Sequence, residues 1–293
     1  MPKPINRIYI WLAAAALGLF SILALEEMRP ASISLMRVEL ETTQANSNRN
    51  YFANLGLEAK AAIVFAPDQN KILFAKNSDA PLPIASLTKI MTVLAAERTL
   101  AAPSPAGEVL VQFNDRSWPL SNLVDYALVL SSNTAAVAIA TAASTAGHPL
   151  VQTMNDLATE LGLTKTHFEN STGLDLTSGE PGGVSSAIDL AHLFAYTLKN
   201  QSELLSATRY PEIEVAAADG IRYRIINTNK IIGGIPGLLA SKTGYTEVAQ
   251  GSLAVISNRG LNEPIIFIVL GSSYEGRFTD MQKLISAAYT YDY

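Results

Sequence analysis

The sequence predicts an α+β fold: an antiparallel sheet with helices packed on it and a helical lobe inserted. Three observations predict it. A β-hairpin pattern opens the folded part, a group of segments with apolar residues at helical spacing follows, and strand-like apolar runs cluster near the end before a closing helix.

The hairpin is Ala61 to Ala66 (AAIVFA), a PDQN turn, and Lys71 to Phe74 (KILF). Next, Ser86 to Leu100 (SLTKIMTVLAAERTL) sets Leu87, Ile90, Met91, Leu94 and Ala95 on one helical stripe. Its circumference is apolar enough to place it in the middle of the domain. After a Pro-rich break, AAPSPAG, come the helical segments PLSNLVDYALVL, NTAAVAIATAAS and LVQTMNDLATELG. SSAIDLAHLFAYTLKN reads as another helix, capped by Ser185 or Ser186. Then YRIINT, LLASKTGY, GSLAVIS and PIIFIVLGS read as strands, and FTDMQKLISAAYTY as the last helix.

Ahead of this lies a different kind of segment. Lys3 and Arg7 precede an uncharged run from Ile8 to Leu25. Its eighteen residues at ~1.5 Å each span about 27 Å, enough to cross a bilayer core. Glu26, Glu27, Met28 and Arg29 follow, with no small-x-small cleavage site, so the segment reads as an uncleaved anchor; a removed signal is the alternative. Either way the positive flank stays inside and the rest is delivered outside. The expected organisation is residues 1–29 as anchor or signal, 30–57 as a polar tether, and 58–293 as the folded domain.

Composition narrows the chemistry. The chain has 293 residues, 48% hydrophobic, with net charge -5, which argues for a packed core and against disorder. It has no cysteine, which removes disulfides, thiol nucleophiles and thiolate metal sites. His148, His167 and His192 are scattered without ligand spacing, so no metal is expected. No basic stripe offers itself to nucleic acid.

Within PIASLTK, Ser86 and Lys89 stand three apart, close enough on a helix face for the amine to reach the hydroxyl. A lysine serves as base to a serine only if it loses its proton near neutral pH. Burial and a second cation nearby would bring that about. The pair alone means little, because S-x-x-K arises by chance about once in a chain of this composition. However, LSSN sets Ser131 and Asn133 two apart at a helix junction, and SKTGYT ends a strand further on. S-x-x-K, S-x-N and K-T-G in this order mark penicillin-binding proteins and class A β-lactamases.

From about Glu58 onward the chain resembles the D-alanyl-D-alanine carboxypeptidase family, the low-mass penicillin-binding serine peptidases. AAIVFAPDQNKILFAKNSDAPLPIASLTKIMT, MNDLATELGLTKTHFENSTGLD and INTNKIIGGIPGLLASKTGYT carry the resemblance. It implies a β-lactamase/transpeptidase-like fold and attack by Ser86 on the bond between the two terminal D-alanines of a peptidoglycan stem peptide. Lys89 would be the base and Ser131 a proton relay to the leaving amine. Asn133 would orient the substrate amide and Lys89, while Lys242 and Thr243 would hold the terminal carboxylate. Backbone N–H groups of Ser86 and Tyr245 would form the oxyanion hole, with Gly244 letting the substrate backbone lie close. The resemblance also implies covalent inhibition by β-lactams and no cofactor.

The chain departs from the family's usual pattern at Thr134, where aspartate is common, and at Gln250, where glycine is common. The stretch between the Ser86 helix and LSSN is short, about thirty residues, which puts that lobe's usual strands in doubt. Asn170, Gly173 and Asp175 resemble a structural loop of the family, and Arg277 reads as an ion-pair or cleft-rim residue. A class A β-lactamase is disfavoured because no E-x-x-L-N follows S-x-N. D,D-endopeptidase action on cross-links, and an idle peptidoglycan-binding receptor, are the other readings.

Overall fold

The computed structural model describes residues 51–100, 108–176 and 179–290. The anchor run Ile8–Leu25 and residues 30–50 of the tether lie outside these residues. Among the described residues no helix is long and apolar enough to cross a membrane.

Strands β1 (Ala61–Ala66) and β2 (Lys71–Lys76) form the expected hairpin, and β3 (Leu82–Pro83) follows. The Ser86 segment starts with a 3-10 turn, Ala85–Leu87, and becomes helix α1 at Thr88–Leu100. A hairpin of β4 (Leu110–Phe113) and β5 (Arg116–Pro119) then leads into α2 (Leu120–Val129), α3 (Asn133–Thr145) and α4 (Leu150–Glu160). Short strands β6 (His167–Phe168) and β7 (Gly183–Ser185) join β3 in a small sheet. Helices α5 (Ala187–Asn200) and α6 (Glu203–Ser206) precede a third hairpin, β8 (Glu212–Ala216) and β9 (Arg222–Ile226). The chain closes with β10 (Leu238–Thr246), β11 (Gln250–Asn258), β12 (Pro264–Ser272) and α7 (Gly276–Thr290).

The main sheet has the order β10-β11-β12-β1-β2, and each neighbouring pair is antiparallel. Its central strands read as unbroken apolar runs because both faces are covered. Ala61, Ile63 and Phe65 join Ile266, Ile268 and Leu270 in a core shared with α1 and α5. The alternate residues Ala62, Val64, Phe267 and Val269 point the other way and are equally buried. Helix α7, with Phe278, Met281 and Leu284 inward, packs against β11 and β12. Strand β10 is left at the edge, the position beside which an extended ligand can add as a further strand.

Helix α1 is buried from Thr88 to Ala96 and packs on α3 and α4. The expected sheet with an inserted helical lobe is thus observed. The doubt over strands in that lobe is overturned: β4 and β5 pair from Leu110↔Pro119 to Phe113↔Arg116. Trp118 anchors the hairpin, with ring centroids 5.8 Å from Phe113, 5.6 Å from Tyr126 and 5.1 Å from Tyr223 on β9. Ser186, rather than Ser185, caps α5 by accepting from Asp189 N at 3.1 Å.

Candidate active site

Ser86 lies in the 3-10 turn, one residue after Ala85, whose φ of 49° is in the left-handed region. That conformation costs an alanine about 1 kcal/mol, and it is held by the packing around it. The carbonyl of Ala85 abuts Gly173, where a Cβ would stand 1.9 Å from the oxygen, so residue 173 must be glycine.

Lys89 is fully buried one turn along the same face. Its Nζ lies 2.8 Å from Ser86 Oγ, 2.7 Å from Asn133 Oδ1 and 2.8 Å from Thr172 O. Burial lowers its pKa from the ordinary lysine value to about 7. Asn133 Oδ1 and Thr172 O can only accept, so they take the two N–H bonds of a neutral amine. The lone pair is then left facing Ser86 Oγ, and the hydroxyl donates to it. This is the geometry of a serine with its base.

In LSSN the two serines divide the work. Ser132 caps α3, its Oγ accepting from Ala135 N at 3.2 Å. Ser131, at a φ of 60° between α2 and α3, is thereby turned the other way and accepts from Lys242 Nζ at 2.7 Å. Asn133, the first residue of α3, reaches Lys89. The cap and the site therefore share four residues without competing for a side chain.

Lys242 and Thr243 lie on β10 and are buried. Besides Ser131, Lys242 Nζ donates to Thr243 O at 3.0 Å. Burial, then the positive charges of Lys89 and Arg277, push its pKa well below the lysine range. Thr243 Oγ1 and Thr228 Oγ1 are 2.5 Å apart. At Gly244 a Cβ would lie 2.9 Å from Ile84 O and 3.2 Å from Ser86 N, so the edge strand runs directly beside the Ser86 amide. Tyr245 follows, its ring half exposed and set edge-on to Tyr274 with centroids 5.0 Å apart.

All eight expected residues, Ser86, Lys89, Ser131, Asn133, Lys242, Thr243, Gly244 and Tyr245, thus meet where α1, the α2–α3 junction and β10 converge. Sequence reasoning missed two participants and left the role of a third, Arg277, open between an ion pair and the cleft rim. The Thr172 carbonyl carries no side-chain signal, since every residue has one. Thr228 stood in the INTNK segment without a role. Arg277 makes no ion pair among the described residues: its guanidinium donates to Gly244 O at 2.6 Å and stacks 4.4 Å from the Tyr274 ring and 4.8 Å from that of Phe278. Gln250 explains its own departure, because its φ of 57° is the left-handed conformation that glycine adopts freely.

Comparison with known proteins gives the same placement. A D-alanyl-D-alanine carboxypeptidase family model matches residues 44–122 and 105–274. D-alanyl-D-alanine carboxypeptidase DacF of Bacillus subtilis is 30% identical over 253 residues, 81% of this chain; the match spans 64% of that relative's length. A D-alanyl-D-alanine endopeptidase of Haemophilus influenzae is 28% identical over 238 residues, 75% of this chain and 79% of its own. The ampicillin-bound crystal structure of penicillin-binding protein D2 from Listeria monocytogenes superposes with a TM-score of 0.69. It is 28% identical, and the match covers 80% of this chain and 99% of that one. On the family match and the geometry together, the chain belongs to the D-alanyl-D-alanine carboxypeptidase family.

Proposed function

We propose that the protein is a serine D-Ala-D-Ala carboxypeptidase acting on peptidoglycan stem peptides through an acyl-serine intermediate. The observation that carries the reading is the Lys89 amine, brought to a pKa of about 7 and aimed at Ser86 Oγ by two acceptor-only partners. Ser86 Oγ bonds to the penultimate D-alanine carbonyl carbon and gives its proton to Lys89. The developing oxyanion is met by the N–H groups of Ser86 and Tyr245. The C–N bond breaks as Ser131 delivers a proton to the departing amine, drawing on Lys242 behind it. Water then enters where the amine left, loses a proton back to the Ser131–Lys242 pair, and attacks the ester. Ser86 Oγ leaves and recovers its proton from Lys89, which closes the cycle.

Lys242 and Thr243 hold the terminal carboxylate in this scheme, a charge-assisted contact. A β-lactam, whose ring amide and carboxylate occupy the same two places, acylates Ser86 and stays. The experiment is intact mass with and without penicillin, beside Ser86→Ala, followed by assay of D-alanine release from a pentapeptide. A penicilloyl adduct on the unsubstituted protein alone, with D-alanine released, is expected; a folded protein that takes no adduct is an idle receptor.

Endopeptidase action on cross-links uses the same residues, and the similarity to the Haemophilus endopeptidase favours keeping it as the second reading. Cleavage of a cross-linked dimer in preference to a pentapeptide would select it. The reading also sets the catalytic unit outside the cytoplasmic membrane, tethered by Ile8–Leu25. The support is that uncharged run behind Lys3 and Arg7, and the mass of the mature protein tests it.

A further inference from the structure

The segment Asn170–Asp175 touches three parts of the site at once. Asn170 Oδ1 accepts from Thr172 N at 3.0 Å, Thr172 Oγ1 at 2.8 Å and Gly173 N at 2.8 Å, while its Nδ2 donates to Leu174 O at 2.9 Å. One side chain thereby fixes the turn. Consecutive carbonyls of the turn take α1 side chains: Ser171 O accepts from Thr92 Oγ1 at 2.7 Å and Thr172 O from Lys89 Nζ at 2.8 Å. Gly173 then passes against the Ala85 carbonyl, one residue before Ser86.

Asp175 ends the segment on the other wall of the cleft. Its Oδ1 accepts from Thr246 Oγ1 at 2.9 Å and its Oδ2 from Val248 N at 3.2 Å, and Thr246 Oγ1 in turn accepts from Ala249 N at 3.0 Å. Thr246 is the last residue of β10, directly after Tyr245. The turn from β10 into β11 is therefore pinned to the same segment that holds Lys89. An edge strand has neighbours on one side only, so its free end needs such a tie to keep a fixed distance from the facing element.

The geometry points to Asp175 as a positioning residue: by clasping Thr246 and Val248 it sets the gap between the Tyr245 N–H and Ser86 that the oxyanion occupies. It touches neither substrate nor nucleophile. Preorganised donors are effective only when held at hydrogen-bond distance from the place where charge develops, so a slackened β10 lowers the rate of bond formation more than it lowers ground-state binding. This inference rests on the acyl-serine reading above.

The test compares Asp175→Asn, Thr246→Val and the double variant for acylation by a fluorescent penicillin, with the saturating rate and the half-saturating concentration measured separately. In the Asn variant one oxygen still accepts, but its amide nitrogen opposes a second donor. Each single substitution is expected to lower the saturating rate about tenfold, the equivalent of one charge-assisted hydrogen bond. Half-saturation should move much less. The double variant should be little worse than either single one, because the two changes break the same contact.

The acid limb of the pH profile should keep its midpoint, because Lys89 retains Thr172 O. Saturating rates equal to the unsubstituted protein's in folded variants would overturn the inference, and so would fully additive losses or a shifted midpoint. Thr246→Val keeps a β-branched residue on a strand, so the test stands even where Asp175→Asn does not fold. Absence of acylation in the unsubstituted protein refutes the acyl-serine reading itself, which separates the two failures.

Discussion

Lowering the pH should switch off acylation by protonating Lys89. The base works only as the neutral amine, and its pKa of about 7 places the change within reach of ordinary buffers. The neutral fraction is about 1% at pH 5, about 9% at pH 6, about half at pH 7 and about 91% at pH 8. The sign follows directly: rate rises with pH and levels off above the midpoint, the reverse of a reaction that needs the ammonium form. The second-order rate constant for penicillin acylation should therefore climb about tenfold from pH 6 to pH 8 and about fiftyfold from pH 5 to pH 7. Stopped-flow fluorescence against a pH-stable β-lactam measures it, with the fold monitored by circular dichroism at each pH. Lys89→Arg should abolish acylation throughout this range, because a guanidinium does not deprotonate in it. A profile flat from pH 5 to pH 8, or acylation retained in Lys89→Arg, would refute the assignment of Lys89 as the base.

Three further substitutions separate the site from its frame. Gly244→Ala sets a methyl group 2.9 Å from Ile84 O and 3.2 Å from Ser86 N, so β10 must move away from the nucleophile; acylation should fall by at least about a hundredfold, read by penicillin labelling against time. Arg277→Met removes the donor to Gly244 O and the stack on Tyr274; we expect about a tenfold slower acylation, with Arg277→Lys recovering only part of it. Asp280→Asn acts far from the chemistry. Asp280 is buried and accepts from Glu58 N at 3.1 Å, Ala59 N at 2.8 Å and Ser272 Oγ at 2.8 Å. An amide there turns a donor toward donors, so urea unfolding should show a loss of about 2–3 kcal/mol while the folded protein acylates at its normal rate.

What the sequence made legible follows from how each feature is encoded. The strands that became β1, β11 and β12 could be read because a sheet covered on both faces needs continuous apolar runs. Helix α1 was legible for the same reason. The β8–β9 hairpin was half hidden, because Glu212 and Glu214 pair with Arg224 and Arg222 on its exposed face. Only Val215 and Ile225 are buried there, so the apolar pattern is thin. The β4–β5 turn did leave a signal: Asn114 and Asp115, at φ of 50° and 59°, are residues that tolerate two successive left-handed positions in a tight hairpin. Side chains of the site were legible through three motifs. Their backbone partners were not, because the Thr172 carbonyl and the left-handed Ala85 depend on how the chain is folded and not on which residue is present.

The charge distribution explains how two lysines so close together can do different things. Lys89, Lys242 and Arg277 are all buried, and among the described residues none has a carboxylate within salt-bridge distance. These cations therefore have no protein counter-charge there, and Lys242 feels burial and then both other cations. In the proposed scheme a ligand carboxylate beside Lys242 and Thr243 supplies a counter-charge, and so favours the proton on Lys242 that the Ser131 relay draws on. Lys89, held by a carbonyl, an amide oxygen and a hydroxyl, meets no such partner and stays poised to lose its proton. On the proposed reading, carboxylate recognition and proton delivery are one event: a peptide without a free C-terminal carboxylate fails twice, losing its anchor and leaving the leaving-group acid uncharged.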